Sequence, residues 1–147
     1  MSKAKQAAAY FSNSYNCSQS VFTPFGTELE IPEDHCLKVA CAFGGGMGRQ
    51  QLTCGAVTGA MMALGLHFGK GIGDDDVKKN ETYAKTLALF RNFVAKHGTV
   101  NCRELMNGLD MNDPEDKKKI GELNLFKNHC TGYVMDAVAI AEELITG

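Results

Sequence analysis

The sequence predicts an all-α fold, a single compact domain of six to eight helices over residues 1–147. Two observations carry this prediction. Apolar residues recur at helical spacing between recognisable capping residues, whereas runs of β-branched residues with alternating polarity, which indicate strands, are missing. The length suits one domain, and no internal repeat, low-complexity tract or linker divides the chain.

The composition is that of an ordinary globular protein. Hydrophobic residues make up 44% and charged residues 22%, and the net charge is −2, which favours neither a nucleic-acid nor a membrane-surface partner. The most apolar stretch, residues 56–68, is too short to cross a bilayer, so no membrane insertion is expected. Because the N-terminus lacks the apolar core of a signal peptide, we expect a cytoplasmic protein with reduced thiols.

A polar break separates the first two predicted helices. Residues 3–12 are rich in alanine, which favours a helix. The polar residues 13–16 end it, and Asn16 is a candidate cap for a second helix that begins at Cys17. Pro24 is expected to kink or shorten the second helix, because proline lacks the amide that a helix interior needs.

A run of glycines separates the third and fourth predicted helices. The third begins at Pro32 and extends to about Phe43, where the glycine-rich residues 44–48 stop it. Thr53 is a candidate cap for a fourth helix over residues 54–68.

Small residues repeat every four positions in this fourth helix. Gly55, Gly59 and Ala63 would form a smooth stripe that lets another backbone approach closely. Glycine inside a helix costs about 1 kcal/mol relative to alanine, so the stripe indicates a packing or site requirement. It is also a candidate subunit interface for a homodimer.

A long fifth helix, residues 77–96, follows the acidic residues 74–76, which can cap it. Four apolar residues are predicted to share one face of this helix: Tyr83, Leu87, Phe90 and Val94.

Three more helices complete the prediction. Asn101 and Asp113 each precede a short helix, and the sequence from Asn101 to Glu104 has the spacing of a capping box. The last helix is expected to begin near Asn128 and to extend through Ile145.

The chain contains six cysteines: Cys17, Cys36, Cys41, Cys54, Cys102 and Cys130. No C-x-x-C pair is present, which excludes a thioredoxin-type motif and a zinc ribbon. Four of the cysteines are nevertheless predicted to lie in the first turn of a helix, just after a capping residue: Cys17, Cys54, Cys102 and Cys130.

Cysteines at helix starts have a chemical consequence. The partial positive charge and free amides of a helix N-terminus stabilise thiolate, which is expected to lower the pKa of each thiol. Four helix starts that converge could hold a [2Fe–2S] or [4Fe–4S] cluster, or a structural zinc ion. The alternative for each cysteine is simple core packing, which we favour for Cys36 and Cys41 because both fall inside the third helix.

These residues resemble a known family, the proteins called redox-active that are named for the pattern C_GCAxxG_C_C. The central motif is Cys54-Gly55-Ala56-Val57-Thr58-Gly59, with Cys17 upstream and Cys102 and Cys130 downstream. The glycine run at residues 44–48 also looks like the family, and the resemblance covers nearly the whole chain.

The resemblance implies a redox role for the four cysteines without naming a reaction. A related domain occurs in split-Soret cytochromes c, which carry an iron–sulfur cluster besides haem. This sequence has no C-x-x-C-H motif, so covalent haem is not expected. Gly45 and Gly46 in the glycine run, with Gly55 and Gly59, are the candidate backbone contacts of a cofactor.

Arg49 follows the glycine run, so this loop is a candidate anion cradle as well as a plain helix connection.

Three functions follow from the sequence. The first is electron transfer or redox sensing by an iron–sulfur cluster on the four cysteines, with an unknown redox partner. The second is a metal-free thiol–disulfide oxidoreductase with paired thiols. The third is a non-catalytic helical module, stabilised by zinc or by packing alone.

Overall fold

The computed structural model describes residues 1–147 and confirms the all-α prediction. The right-handed α-helices are α1 (Lys3–Ser12), α2 (Cys17–Glu28), α3 (Glu33–Ala40), α4 (Gly55–Phe68), α5 (Asp76–His97), α6 (Cys102–Leu105), α7 (Pro114–Glu122) and α8 (Thr131–Thr146). A 3-10 turn, Cys41–Phe43, follows α3, and a π-helical segment, Phe126–Cys130, precedes α8. None of the helices combines the length and apolar composition needed to cross a membrane.

The start of α2 has the predicted cap. The Asn16 side chain accepts a hydrogen bond from the Gln19 amide at 3.0 Å, and the Gln19 side chain accepts one from the Asn16 amide at 2.9 Å. This reciprocal pair satisfies two amides that the helix itself leaves free. The helix therefore begins at Cys17, as predicted, and it continues through Pro24 to Glu28.

The main core lies where α4 crosses α2 and α8, with α1 and α5 packed outside them. A Cβ atom at Gly59 would lie 2.8 Å from the Ser18 carbonyl oxygen and 3.0 Å from the Val21 Cβ. The predicted close crossing is confirmed, because only glycine leaves room for α2 at this point. Since α2 covers the stripe, this face is not available as the subunit interface proposed for it.

The predicted apolar face of α5 is wrong except at Phe90, which is half-buried against the core. Tyr83 and Leu87 are 61% and 63% exposed, whereas Leu89 and Phe93 are fully buried against the core. The helix has apolar residues on two faces, and helical periodicity does not indicate which face its neighbours cover. The packing of α4 and α8 selects the face that carries Leu89 and Phe93.

The glycine run forms a left-handed turn. Five consecutive residues, 45–49, have φ between 64° and 69°. Backbone amides that follow these residues donate hydrogen bonds to carbonyl groups inside the turn. The Gln51 and Leu52 amides donate to the carbonyls of Gly45 and Gly46, each at 3.0 Å. A left-handed helical residue with a side chain costs about 1–2 kcal/mol, which glycine avoids.

An isolated antiparallel bridge, Thr53 to Asn101, joins the segments that precede α4 and α6. The Cys54 amide donates to the Val100 carbonyl at 2.8 Å, and the Cys102 amide donates to the Leu52 carbonyl at 2.6 Å. The starts of α4 and α6 are thereby held side by side, and each carries a cysteine.

The part of the chain from α6 to the start of the π-helical segment has a small core of its own: Cys102, Met106, Met111, Ile120 and Leu125. Gln51 connects this core to the left-handed turn. Its buried side-chain amide donates to the Leu109 carbonyl at 2.8 Å and accepts from the Met111 amide at 2.8 Å. Residues 45–54 are therefore held by two sets of hydrogen bonds, one to residues 100–102 and one to residues 109–111.

Candidate four-cysteine site

One cavity, with a volume of about 1160 Å³, is lined by all four cysteines predicted to act together: Cys17, Cys54, Cys102 and Cys130. None of them is in a disulfide. They come from the starts of α2, α4 and α6 and from the segment before α8. The structure thus brings together residues from four separate parts of the chain, while their redox role stays a prediction.

Cys17 is the first residue of α2, and its sulfur faces the start of α4. A Cβ atom at Gly55 would stand 2.3 Å from the Cys17 sulfur. The neighbouring Asn16 side chain is equally close to the position of a Cβ at Gly44, also 2.3 Å. Two glycines therefore allow α2 to begin against the cavity wall.

Cys102 is the first residue of α6, as predicted. The Asn101 side chain caps this helix by accepting a hydrogen bond from the Glu104 amide at 3.1 Å. Cys54, in contrast, is itself the N-cap residue of α4 rather than a residue of its first turn. The prediction that Thr53 caps α4 is wrong, because Thr53 is held in the bridge to Asn101.

The helix-start prediction is also wrong for Cys130. This residue ends the π-helical segment and has α-helical φ and ψ of −66° and −32°, so α8 continues from it without a break. The Asn128 side chain does not cap a helix here; it donates to the Leu123 carbonyl at 3.1 Å. The Cys130 sulfur lies 3.5 Å from the Met106 sulfur. Single π-helical turns inside longer helices are frequent at functional sites.

The two remaining cysteines have different environments. Cys36 is fully buried, and its sulfur packs against Gly26, so the core-packing prediction is confirmed. For Cys41 that prediction is wrong: the residue is exposed and lies on the lining of the four-cysteine cavity. The reason is that α3 ends at Ala40, and the following 3-10 turn takes Cys41 away from the core face of the helix.

Sequence comparison is consistent with this arrangement. Residues 15–144 match the protein family described as "Putative redox-active protein (C_GCAxxG_C_C)". The chain belongs to this family. It is also similar to an uncharacterized protein of Archaeoglobus fulgidus, with 31% identity over 129 residues that cover 82% of this chain and 85% of the relative. No solved structure matches the chain.

The glycines that the C_GCAxxG_C_C motif and the glycine run contribute lie at different depths. Gly45 and Gly55 line the cavity. Gly59 packs against α2, and a Cβ at Gly46 would lie 2.6 Å from the Leu52 amide nitrogen and 2.8 Å from the Cys102 Cβ. Gly46 and Gly59 were both predicted as cofactor contacts. Neither lies on the cavity lining; each packs closely against a segment that does.

Burial controls the protonation of the cavity thiols in this member of the C_GCAxxG_C_C family. Burial, followed by the nearby Cys17, raises the pKa of Cys102 to about 12, and burial with Cys17 and Cys102 does the same for Cys130. The pKa of Cys54 is raised by burial and by Cys17.

The prediction that helix starts lower these pKa values is wrong. At Cys17 the amides of Gly45, Ser18 and Gly55 do act to lower the pKa, but burial outweighs them and the net direction is upward. Desolvation penalises the thiolate more than the helix-start amides stabilise it. The free thiols are therefore protonated at neutral pH.

Sequence reasoning missed several residues that complete the cavity, among them Tyr133, Met106 and Phe126. The Tyr133 hydroxyl donates to the Leu105 carbonyl at 2.9 Å and so ties α8 to the end of α6. Its pKa is raised by burial and then by the charge of Cys130, Cys54 and Cys102 as thiolates. One signal was present in the sequence, since Tyr133 lies three residues after Cys130 and helical residues at that spacing share a face.

The cavity lining contains no His, Asp or Glu, so the cysteine sulfurs are the side-chain atoms there that are best suited to bind a metal. His129 adjoins Cys130 in sequence, but its ring packs edge-on against Tyr133, with centroids 6.3 Å apart. No group of three or more His, Cys, Asp or Glu side chains is arranged to hold a single metal ion.

Proposed function

We propose that this protein transfers or senses electrons through an iron–sulfur cluster held by Cys17, Cys54, Cys102 and Cys130. The observation that carries the proposal is their convergence on one cavity as free thiols. Four cysteine thiolates are the usual ligand set of [2Fe–2S] and [4Fe–4S] clusters. In such a cluster the cysteine sulfurs bind different irons, so the four thiols need not surround one ion position.

The surroundings of the cysteines support this reading. A bound cluster would supply one-electron chemistry, and its potential would depend on burial and on polar groups near the sulfurs. Cys54 and Cys102 are buried, while the amides of Gly45 and Gly55 lie beside the Cys17 sulfur. The apolar side chains of Leu105, Met106 and Met111 line the same cavity.

The protonation state of the thiols favours metal binding over thiol–disulfide exchange. Exchange begins with attack by a thiolate, and burial opposes thiolate formation at all four positions. Metal binding provides the missing charge compensation, because the ion displaces the thiol protons. The thiol–disulfide oxidoreductase and the zinc-stabilised module are the alternative outcomes of the experiment below.

The test is anaerobic purification followed by a visible spectrum and by iron, acid-labile sulfide and zinc analysis. We expect a brown protein with iron and sulfide in matching amounts, and loss of both in Cys54→Ser. Cys41→Ser is the matched control, because Cys41 lines the same cavity but lies outside the four. A colourless, metal-free protein whose thiols oxidise reversibly in pairs would replace the proposal with thiol–disulfide exchange, and zinc alone would indicate a structural site.

A further inference from the structure

The charges on the cavity differ in sign from those of the whole chain. The chain carries 17 Asp and Glu against 15 Lys and Arg. The cavity lining contains Arg49 and Lys127 and no acidic residue. These two cations are the only Lys, Arg, Asp or Glu side chains on the lining of the cavity.

Neither cation is neutralised within the protein. Arg49 and Lys127 take part in none of the ion pairs of the structure, which involve other lysines and His97. Both residues are exposed, and two unpaired cations on the lining of one cavity that has no carboxylate favour the binding of an anion there.

Arg49 is held in place by the left-handed turn that it ends. Its amide donates to the Gly44 carbonyl at 3.3 Å, and its carbonyl accepts from the Asn112 side chain at 2.7 Å. The Arg49 side chain folds back over Gly45, since a Cβ there would lie 2.9 Å from the Arg49 Cγ. Gly45 is part of the cavity wall beside Cys17, so the arginine stem lies over the site.

The cavity also has room and an apolar surface for an organic molecule. Its volume of about 1160 Å³ lies above the range of about 300–1,000 Å³ typical of small-molecule pockets. Of the 24 lining residues 13 are hydrophobic, and the lining includes four aromatic rings: Phe11, Tyr15, Phe126 and Tyr133.

We propose that the four-cysteine cavity binds a small organic anion with an apolar body, whose anionic group is held by Arg49 and Lys127. The inference names the substrate class of the proposed redox site and in that respect rests on the proposed function. Binding itself rests on the side chains of Arg49 and Lys127 and on the apolar walls, which the chain provides with or without a metal.

Cys41 provides a built-in reporter for the test. It is exposed and lies on the lining of the same cavity. The next residue, Ala42, lies close to the left-handed turn that carries Arg49, because a Cβ at Gly48 would be 4.0 Å from the Ala42 carbonyl oxygen. The anionic reagent iodoacetate and the neutral reagent iodoacetamide alkylate thiols by the same reaction. The ratio of their rates at Cys41, followed by peptide mass spectrometry, therefore reports the local potential.

We expect the iodoacetate-to-iodoacetamide ratio at Cys41 to exceed that of a free cysteine peptide about three- to fourfold at low salt. The excess should vanish near 1 M salt, where charges are screened within about 3 Å. It should also vanish in Arg49→Gln/Lys127→Gln. The matched control is Arg91→Gln/Lys117→Gln, which removes one exposed arginine and one exposed lysine away from the cavity and should keep the wild-type ratio.

Occupancy is measured with benzoate and its neutral analogue benzamide. Benzoate should protect Cys41 of the wild type from iodoacetamide, whereas benzamide should protect it at least threefold less. Equal protection by the two compounds, no protection by benzoate, or a wild-type alkylation ratio equal to that of the free peptide would overturn the proposal. Because Cys41 is not one of the four proposed ligands, this result and the iron analysis are separate, and either proposal can fail alone.

Discussion

The Cys17 sulfur occupies the space that a Cβ atom at Gly55 would need, with only 2.3 Å between them. The second position of the Cys-Gly-Ala-x-x-Gly motif therefore has to be glycine, because the upstream cysteine, Cys17, leaves no room for a side chain there. This contact links the start of α2 to the start of α4 at the cavity wall.

Gly55→Ala should lower the free energy of unfolding by about 1–3 kcal/mol, because the added methyl group overpacks a buried contact. Gly65→Ala on the same helix is the control. Nothing lies within 4 Å of a Cβ there, so the change should be neutral or should stabilise by up to about 1 kcal/mol. Urea unfolding measures both, and equal stability of the two variants would contradict the contact.

Gln51→Ala should destabilise the protein by about 1–3 kcal/mol, because it leaves the buried Met111 amide and the Leu109 carbonyl without their partner. Hydrogen exchange should show faster exchange at the Met111 amide. Gln50→Ala removes an exposed neighbour and should leave that amide unchanged. Unchanged protection at Met111 in Gln51→Ala would mean that this side chain does not hold the segment.

Leu89→Ala should cost about 2–5 kcal/mol, because Leu89 is fully buried. Leu87→Ala on the same helix should change stability by less than about 0.5 kcal/mol, since Leu87 is 63% exposed. Thermal or urea unfolding of the pair tests which face of α5 meets the core. A larger loss of stability in Leu87→Ala than in Leu89→Ala would mean that the face predicted from the sequence is the buried one.

The stability of the reduced, metal-free protein should fall at alkaline pH. Burial raises the pKa of Cys102 and Cys130 to about 12 in the folded state, whereas an unfolded cysteine titrates near about 8.5. Between these values the unfolded chain loses its protons first, so a rising pH favours unfolding. The contribution of these two thiols to stability should be constant below about pH 8 and should fall progressively above about pH 8.5.

Cys130→Ser is the comparison for this pH dependence, because serine does not titrate in the range. From pH 8 to pH 10 the unfolding free energy of the wild type should fall more than that of Cys130→Ser. A difference that stays constant over this interval would show that burial does not raise the Cys130 pKa.

Several features of the site were predictable because they are local. The caps at Asn16 and Asn101 act on amides three residues away, so the sequence sufficed to start α2 at Cys17 and α6 at Cys102. The glycine run was predicted to interrupt the helices, and its positive φ values are accessible mainly to glycine. The small residues Gly55 and Gly59 indicated a close crossing without naming the partner.

The failed predictions depend on contacts between distant segments. Thr53 does not cap α4 because it pairs with Asn101, and Leu89 rather than Leu87 is buried because α4 and α8 cover that face of α5. Cys130 lies inside a continuous helix because a π-helical segment precedes α8. The capping residues in the sequence do not indicate this segment.

By itself, the sequence determined the helical class and most helix starts, since these follow from interactions within a few residues. Only the tertiary structure decided that the four sulfurs share one cavity, that Cys41 joins them there, and that their thiols are protonated. The physical reason is that desolvation depends on every segment packed around a group, whereas a cap or a helix dipole acts only along its own segment.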